Sequence, residues 1–374
     1  MNKSLHILVL SSWYPTERDP FLGNFVKRHV DLIATQHKVT VLQLESVENL
    51  LDFQREQHTT GNLTEIRVRY PRSANPFFKW MHARKAFEIG TADIQSVDFI
   101  HGHVILSKGI QFLWAQKKFK RPLLISEHGS YYRNEARKNW SLREQVCIRK
   151  VVKAAAVVSV VSPLLKREMQ DLLPASKIHV VPNVIDPEVF RYQPKAVGNR
   201  LQFVHISTLD ERFKNILGIL EACELLYGEV GPGFEMQVIS DSDYTRWQQW
   251  VEDHGLQNCI SFAGPLTPVE VAAQLQQSDA LVLFSDYETF SCVIAESWAT
   301  GTPVISTPVG IAENLHPSLG IQVPVRGVAE LVYAMKSMIN GLHTFDAKVL
   351  QEAARNYYPE RVLYQFEELY DFLS

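Results

Sequence analysis

The chain has 374 residues, 46% hydrophobic and 21% charged, a composition that excludes a disordered or fibrous protein. Its net charge of -3 hides a split: residues 1–187 carry 27 Lys+Arg against 17 Asp+Glu, and residues 188–374 carry 11 against 24. No run approaches the ~18 apolar residues of a membrane span, and a basic half joined to an acidic half predicts two domains with two kinds of partner.

In chain order, Met1–Ser4 is polar, and Leu5–Leu10 is apolar except for His6. That run is too short for a signal sequence, so His6–Leu10 reads as a buried strand. Asn24–Ala34 has helical spacing, with Phe25, Val26, Val30 and Ile33 on one side. Lys38–Leu44, Thr64–Tyr70, Phe99–His103, Leu123–Glu127 and Ala156–Val161 follow as strands, each trailed by a polar stretch or a helix. Such β–α alternation predicts an α/β fold with a mainly parallel sheet and helices on both faces. Pro182, Asn183, Pro187, Pro194, Gly198 and Asn199 cluster as a linker. Alternation resumes at Leu201–Ser207, Glu235–Ser240, Ile260–Ala263, Ala280–Phe284 and Pro303–Ser306. An amphipathic helix near Glu360–Leu373 closes the chain, with Val362, Phe366, Leu369, Tyr370 and Phe372 on its apolar face. Two domains of about 180 residues can each bury a core unaided. Cys147, Cys223, Cys259 and Cys292 form no CxxC pair, which fits reduced thiols in a cytosolic protein.

In open α/β sheets ligands bind beyond the carboxyl ends of the strands, so a cleft between two such domains is the expected site. The densest segment is Tyr287–Gly310, YETFSCVIAESWATGTPVISTPVG. Glu288 and Glu296 stand there with seven residues between them. A helix beginning near Ser291 and running to Thr300, stopped by Gly301 and Pro303, puts Glu288 on the strand-to-helix loop and Glu296 about two turns in. The backbone N–H groups of residues 289–293 (Thr289, Phe290, Ser291 and Cys292 among them) then form an anion site between the two carboxylates.

This segment resembles the EX7E signature of glycosyltransferase family 4, continued by Ala299, Gly301, Pro303–Ile305, Gly310 and Glu313. Val180–Asp186 (VVPNVID) resembles that family's linker strand, and His205–Asn215 (HISTLDERFKN) its first C-domain strand and phosphate loop. Tyr14–Ala34 is similar to its N-terminal glycine loop and helix. Asp98–His103 and Ser126–Gly129 (SEHG) are similar to two strand ends of its N-domain. The resemblance implies the GT-B fold: two Rossmann-like domains facing across a cleft, with residues 1–185 as the acceptor domain and 186–357 as the nucleotide-sugar domain. It also implies that a final helix, 358–374, crosses back to the first domain.

Residue roles follow from the resemblance. Glu296 would bind ribose hydroxyls, Glu288 the donor sugar, and Lys214 the diphosphate. The family's arginine position holds Thr208 here; Arg212, two residues before Lys214, either takes its place or stays solvated. Gly23 would let backbone approach the phosphate, His128 would lie beside the transferred sugar, and His103 would line the acceptor side. The implied reaction is a retaining transfer from a nucleotide-diphospho-sugar to a glycan or lipid-linked acceptor in cell-surface polysaccharide synthesis. No cofactor and no metal are expected, as no DxD-type element or HExxH pair suggests one. A sugar-nucleotide 2-epimerase of the same fold and a non-catalytic sugar-nucleotide-binding module are the alternatives.

Arg72–Lys85 mixes Phe77, Phe78, Trp80 and Met81 with Arg72, Lys79, Arg84 and Lys85. Lys117, Lys118, Lys120 and Arg121 form a second basic cluster, and Arg133–Lys153 a third. They read either as solvated helix faces with ordinary core aromatics or as a surface for anionic lipid or a phosphorylated acceptor, placing a cytoplasmic protein at the inner membrane face. No nucleic-acid-binding motif accompanies the charge.

Overall fold

The computed structural model describes residues 4–17, 19, 22–195, 198 and 200–373, the side chains of 107 and 134 aside. Met1–Lys3, Arg18, Pro20, Phe21, Ala196, Val197, the linker residue Asn199 and Ser374 lie outside the described residues. The chain divides into two compact units, Met1–Asn183 with Val362–Ser374, and Val184–Arg361.

The first unit holds strands β1 (His6–Ser11), β2 (Lys38–Val47), β3 (Gln54–Thr60), β4 (Leu63–Pro71), β5 (Phe99–His103), β6 (Leu123–Glu127), β7 (Val157–Val160) and β8 (Ile178–Val180). They form one sheet in the order β3-β4-β2-β1-β5-β6-β7-β8. Every pairing is parallel except β3 with β4, which meet antiparallel at the edge. The central strands are buried on both faces, as continuous apolar runs require. The last helix, Pro359–Leu373, buries Val362, Phe366, Leu369 and Tyr370 in this unit. Tyr370 stacks on Phe99 with ring centroids 5.6 Å apart, and Glu367 Oε1 lies 2.6 Å from His37 Nε2.

The second unit holds β9 (Leu201–Ile206), β10 (Phe234–Ile239), β11 (Ile260–Ala263), β12 (Ala280–Leu283), β13 (Val304–Ser306) and β14 (Gly320–Gln322). All are parallel, in the order β11-β10-β9-β12-β13-β14. Its core packs Phe203, Ile219, Phe234, Val282, Phe284 and Met335, among others, between the sheet and its helices.

One expectation is corrected. The segment Val180–Asp186 is not a strand; only Val180 belongs to β8, and residues 181–186 carry no regular structure. Pro182 has no N–H to donate to a ladder, and its carbonyl instead accepts from His29 Nε2 at 2.9 Å.

Candidate functional site

In the second unit, β9 and β12 pair side by side, Phe203 opposite Ala280 and Val204 opposite Leu281. The loops that follow them, 207–215 and 284–291, therefore leave the sheet as neighbours. The Asp286 N–H donates to the Phe213 carbonyl at 2.7 Å, and Thr307 Oγ1 donates to the Ser285 carbonyl at 2.6 Å. This fixes Lys214 against Glu288. Lys214 Nζ lies 2.5 Å from Glu288 Oε1, and Ser285 Oγ donates to the same oxygen at 2.9 Å. The two side chains are only 19% and 12% exposed, so the pair is partly desolvated.

Thr289, Ser291 and Cys292 are half-buried and Phe290 is buried. The Phe290 carbonyl accepts from Ile311 N–H at 3.0 Å, and its ring meets Tyr357 edge-on. Gly310 makes that approach feasible: its φ is +53°, and a Cβ there would sit 2.3 Å from the Phe290 carbonyl oxygen. The helix spans Cys292–Ala299, and no side chain caps it at Ser291, which adopts a left-handed conformation. First-turn N–H groups of such a helix direct positive potential outward along its axis. Glu296, buried at 7% exposure, lies inside this helix.

Arg212 is not drawn into this group. Its guanidinium forks onto the Asp210 carboxylate, with Nε–Oδ1 2.9 Å and NH2–Oδ2 2.6 Å, and its side chain is 79% exposed. Thr208, at the expected arginine position, gives its carbonyl to Ser242 Oγ at 2.6 Å. His205, just upstream, is buried between the Val282 carbonyl and Ser207 Oγ. Burial lowers its pKa to about 4, the Val282 bond opposes the shift, and nearby Lys214 adds to it.

In the first unit, Gly23 precedes the helix Asn24–Ala34 with φ +68°. A Cβ there would lie 2.6 Å from the Trp13 carbonyl carbon and oxygen, so the chain's own packing requires glycine. His103 ends β5, and His128 follows β6. Both are buried, and His103 Nδ1 faces His128 Nε2 at 3.3 Å. His128 Nδ1 meets Asn183 Oδ1 at 3.1 Å. The Glu127 carboxylate beneath them accepts five hydrogen bonds, from the N–H groups of Ile105, His128 and Gly129 and from the hydroxyls of Tyr131 and Tyr132. Burial raises its pKa against the pull of those donors.

Sequence reasoning missed the company these histidines keep. His29 and His101 are also buried, and the rings of His101 and His103 stack 4.1 Å apart. Residues two apart on a strand share a face, so the pair in Phe99–His103 was legible. The pairing of His29 with them was not, because it depends on how the helix packs. Burial lowers the pKa of all four, His29 to about 4. Among the described residues, His29, His103 and His128 form the group whose ring nitrogens could hold a metal ion. One DxD triplet does occur, Asp241-Ser242-Asp243, which corrects the expectation of no DxD-type element. Asp243 accepts from the Thr245 N–H and hydroxyl at 2.9 and 2.7 Å, starting the helix Thr245–Asp253.

The family model described as Glycosyltransferase Family 4 matches residues 23–189, and that described as Glycosyl transferases group 1 matches residues 200–341. The chain is 33% identical over 99 residues to the glycogen synthase of Mycobacterium tuberculosis, an alignment covering 25% of this chain and 24% of that one. It therefore spans about a quarter of that relative's length. Against the alpha-monoglucosyldiacylglycerol synthase of Streptococcus pneumoniae it is 24% identical over 316 residues, 75% of this chain and 70% of the relative. The crystal structure of Anabaena Alr3699/HepE in complex with UDP superposes with a TM-score of 0.73 at 15% identity, covering 99% of this chain and 100% of that one. The fold is GT-B.

Proposed function

We propose, from the premise that this chain belongs to glycosyltransferase family 4, that it moves a sugar from a nucleotide-diphospho-sugar to a glycan or lipid-linked acceptor with retention of configuration. The observation that carries this reading is the Lys214–Glu288 pair, held at adjacent strand ends beside an uncapped helix N-terminus. A diphosphate leaving group needs cations and N–H donors fixed in advance where charge develops. Lys214 and the first turn of Cys292–Ala299 would supply them, leaving Glu288 to take hydroxyls of the sugar and Glu296 those of the ribose. With those groups in place the diphosphate needs no metal, so brief exposure to a chelator should leave turnover unchanged. The UDP bound in the HepE structure supports a nucleotide site in this fold. His128 enters this reading only by exchange: both its ring nitrogens are engaged, and a sugar hydroxyl would have to displace His103 or Asn183.

The acceptor side supports a membrane-facing role. The helix Pro76–Gly90 leaves Phe77 65%, Phe78 46%, Trp80 52% and Met81 38% exposed beside the exposed Lys79 and Lys85. Apolar rings interleaved with cations on one helix fit an anionic bilayer surface. No described helix is long and apolar enough to cross a membrane.

The test is a thermal-shift panel of UDP-, GDP-, TDP- and ADP-sugars followed by turnover. One donor should raise the melting temperature, and Lys214→Ala, Glu288→Ala and Glu296→Ala should each abolish transfer while folding survives. No shift with any donor, or wild-type turnover in all three variants, would overturn the assignment. Conversion of the donor alone, without acceptor, would point to an epimerase. Co-sedimentation with anionic vesicles that does not weaken with salt would remove the membrane contact.

A further inference from the structure

We propose that His29, His103 and His128 bind a late first-row divalent metal ion, Zn2+ foremost, as a three-imidazole site inside the first unit. The three residues come from the helix Asn24–Ala34, the end of β5 and the loop after β6, and all are at most 4% exposed. One ring nitrogen of each lies within 4.8 Å of the others. Their ring centroids are 5.4, 5.5 and 6.1 Å apart. A tetrahedral ion holding imidazole nitrogens at ~2.0–2.1 Å sets those nitrogens ~3.3 Å apart and the ring centres roughly 5 Å apart. The ring nitrogens need to close by up to about 1.5 Å, mostly His29 toward His103.

The proton positions fit at two of the three rings. The Pro182 carbonyl can only accept, so His29 carries its proton on Nε2 and presents a bare Nδ1. That Nδ1 is buried and has no partner. Likewise Asn183 Oδ1 accepts from His128 Nδ1, which leaves Nε2 bare and turned to His103 Nδ1 at 3.3 Å. The ion replaces the proton shared between those two atoms, and that proton passes to His103 Nε2, a buried atom with no acceptor of its own before the ion binds. The ligands are then His29 Nδ1, His103 Nδ1 and His128 Nε2. Pro182 and Asn183 are the outer partners that hold two of the rings in their ligating tautomers. His101 is not a fourth ligand, because Ser126 Oγ at 2.7 Å and the Tyr370 hydroxyl at 3.3 Å take both of its nitrogens. Burial keeps the rings neutral, the state a metal requires. Three imidazoles with no thiolate or carboxylate favour Zn2+, Co2+ or Cu2+ over Mg2+ or Ca2+. A water or hydroxide would complete the coordination.

The experiment uses the full chain, stripped with a chelator, given one equivalent of Zn2+, Co2+ or Mg2+, and passed through gel filtration. One Zn2+ or Co2+ per chain should be retained, Co2+ with the strong visible absorption of a tetrahedral site, and each should raise the melting temperature; Mg2+ should do neither. Retention should fall at least tenfold in His29→Asn and in His103→Asn, and stay unchanged in His205→Asn. X-ray absorption on the wild-type Zn2+ form needs no variant and should report three imidazoles. No retained ion, undiminished retention in both cluster variants, or fewer than three imidazoles on zinc would overturn the proposal.

Discussion

Glu288→Gln should separate binding of the leaving group from transfer of the sugar. At 2.5 Å the Lys214–Glu288 attraction is gross-strong, about 7 kcal/mol at an effective dielectric of 20. Most of that is offset by desolvation, and net couplings range from ~0.2–1 kcal/mol for exposed pairs to ~3–5 kcal/mol lost when a buried pair is broken. With side chains 19% and 12% exposed the pair falls between, near ~1–2 kcal/mol. A diphosphate arriving at Lys214 must compete with that carboxylate and approach its negative charge. Glutamine removes both obstacles and keeps the shape. The nucleoside diphosphate that binds best in the donor panel should therefore bind Glu288→Gln about 5–30 times more tightly by calorimetry. Sugar transfer should nevertheless drop about 10²–10³-fold, because the charged contact to the sugar is gone. In Glu288→Gln with Lys214→Met the gain in affinity should vanish. Unchanged or weaker diphosphate binding in a Glu288→Gln protein of normal melting temperature would refute the idea that Lys214 serves the diphosphate.

Three further outcomes follow from single contacts. His205 is held neutral in the fold at a pKa of about 4, whereas its unfolded value is 6.5. Below pH 6.5 the unfolded chain therefore takes up a proton that the native chain refuses. Through His205 alone stability falls by roughly 3 kcal/mol as the pH drops from 6.5 to about 4; the other buried histidines add their own fall, so His205→Gln should lose about 3 kcal/mol less over that range when urea melts of the two proteins are compared at each pH. Glu127→Gln should lose about 2–4 kcal/mol, because each carboxylate oxygen accepts from at least one backbone N–H and the new NH2 must face a donor whichever way it turns; a loss under 1 kcal/mol in a denaturant melt would contradict this. Gly310→Ala should cost ~1–2 kcal/mol for its left-handed backbone and, by pushing the Phe290 carbonyl from 2.3 Å, should also weaken donor binding; a melting change without a binding change would mean that the loop 284–291 does not contact the donor.

Central strands were legible and edges were not. The apolar runs at His6–Leu10, Phe99–His103 and Leu123–Glu127 read correctly because a strand buried on both faces has no polar alternation to confuse it. Strand β3, with the sequence QREQHTT, was missed: it lies at the sheet edge, six of its seven residues are exposed, and nothing apolar marks it. The misread at Val180–Asp186 has the opposite cause, an apolar run that continues past the last residue able to join the ladder. The Lys214–Glu288 contact spans 74 positions and depends on β9 and β12 becoming neighbours, which the chain order does not reveal. The family resemblance flagged both residues, but only the sheet order explains why they meet. Arg212 failed to join them for a local reason: Asp210, two residues away, takes its guanidinium at once.

That sheet order also accounts for where the chemistry-bearing residues collect. In each unit the strand order reverses beside its first strand, between β1 and β5 in one and between β9 and β12 in the other. At such a point the connections from two neighbouring strands run to opposite faces, so their loops diverge and leave the strand ends open to a ligand. Gly23 follows β1 and His103 ends β5; Lys214 follows β9 and Glu288 follows β12. Arg212 shares the loop after β9 yet lies exposed on Asp210, so proximity to the reversal is not sufficient. What distinguishes Lys214 and Glu288 is that the Asp286 N–H, donating to the Phe213 carbonyl, ties their two loops together across the reversal, while Ser285 Oγ holds Glu288 from within its own loop. The test of that hold on Glu288 is Ser285→Ala. It removes one bond to Glu288 Oε1 and leaves both charged groups in place, so donor affinity should fall by a few-fold, the worth of ~1 kcal/mol. Full affinity in Ser285→Ala would mean that the ion pair positions Glu288 without the Ser285 hydroxyl.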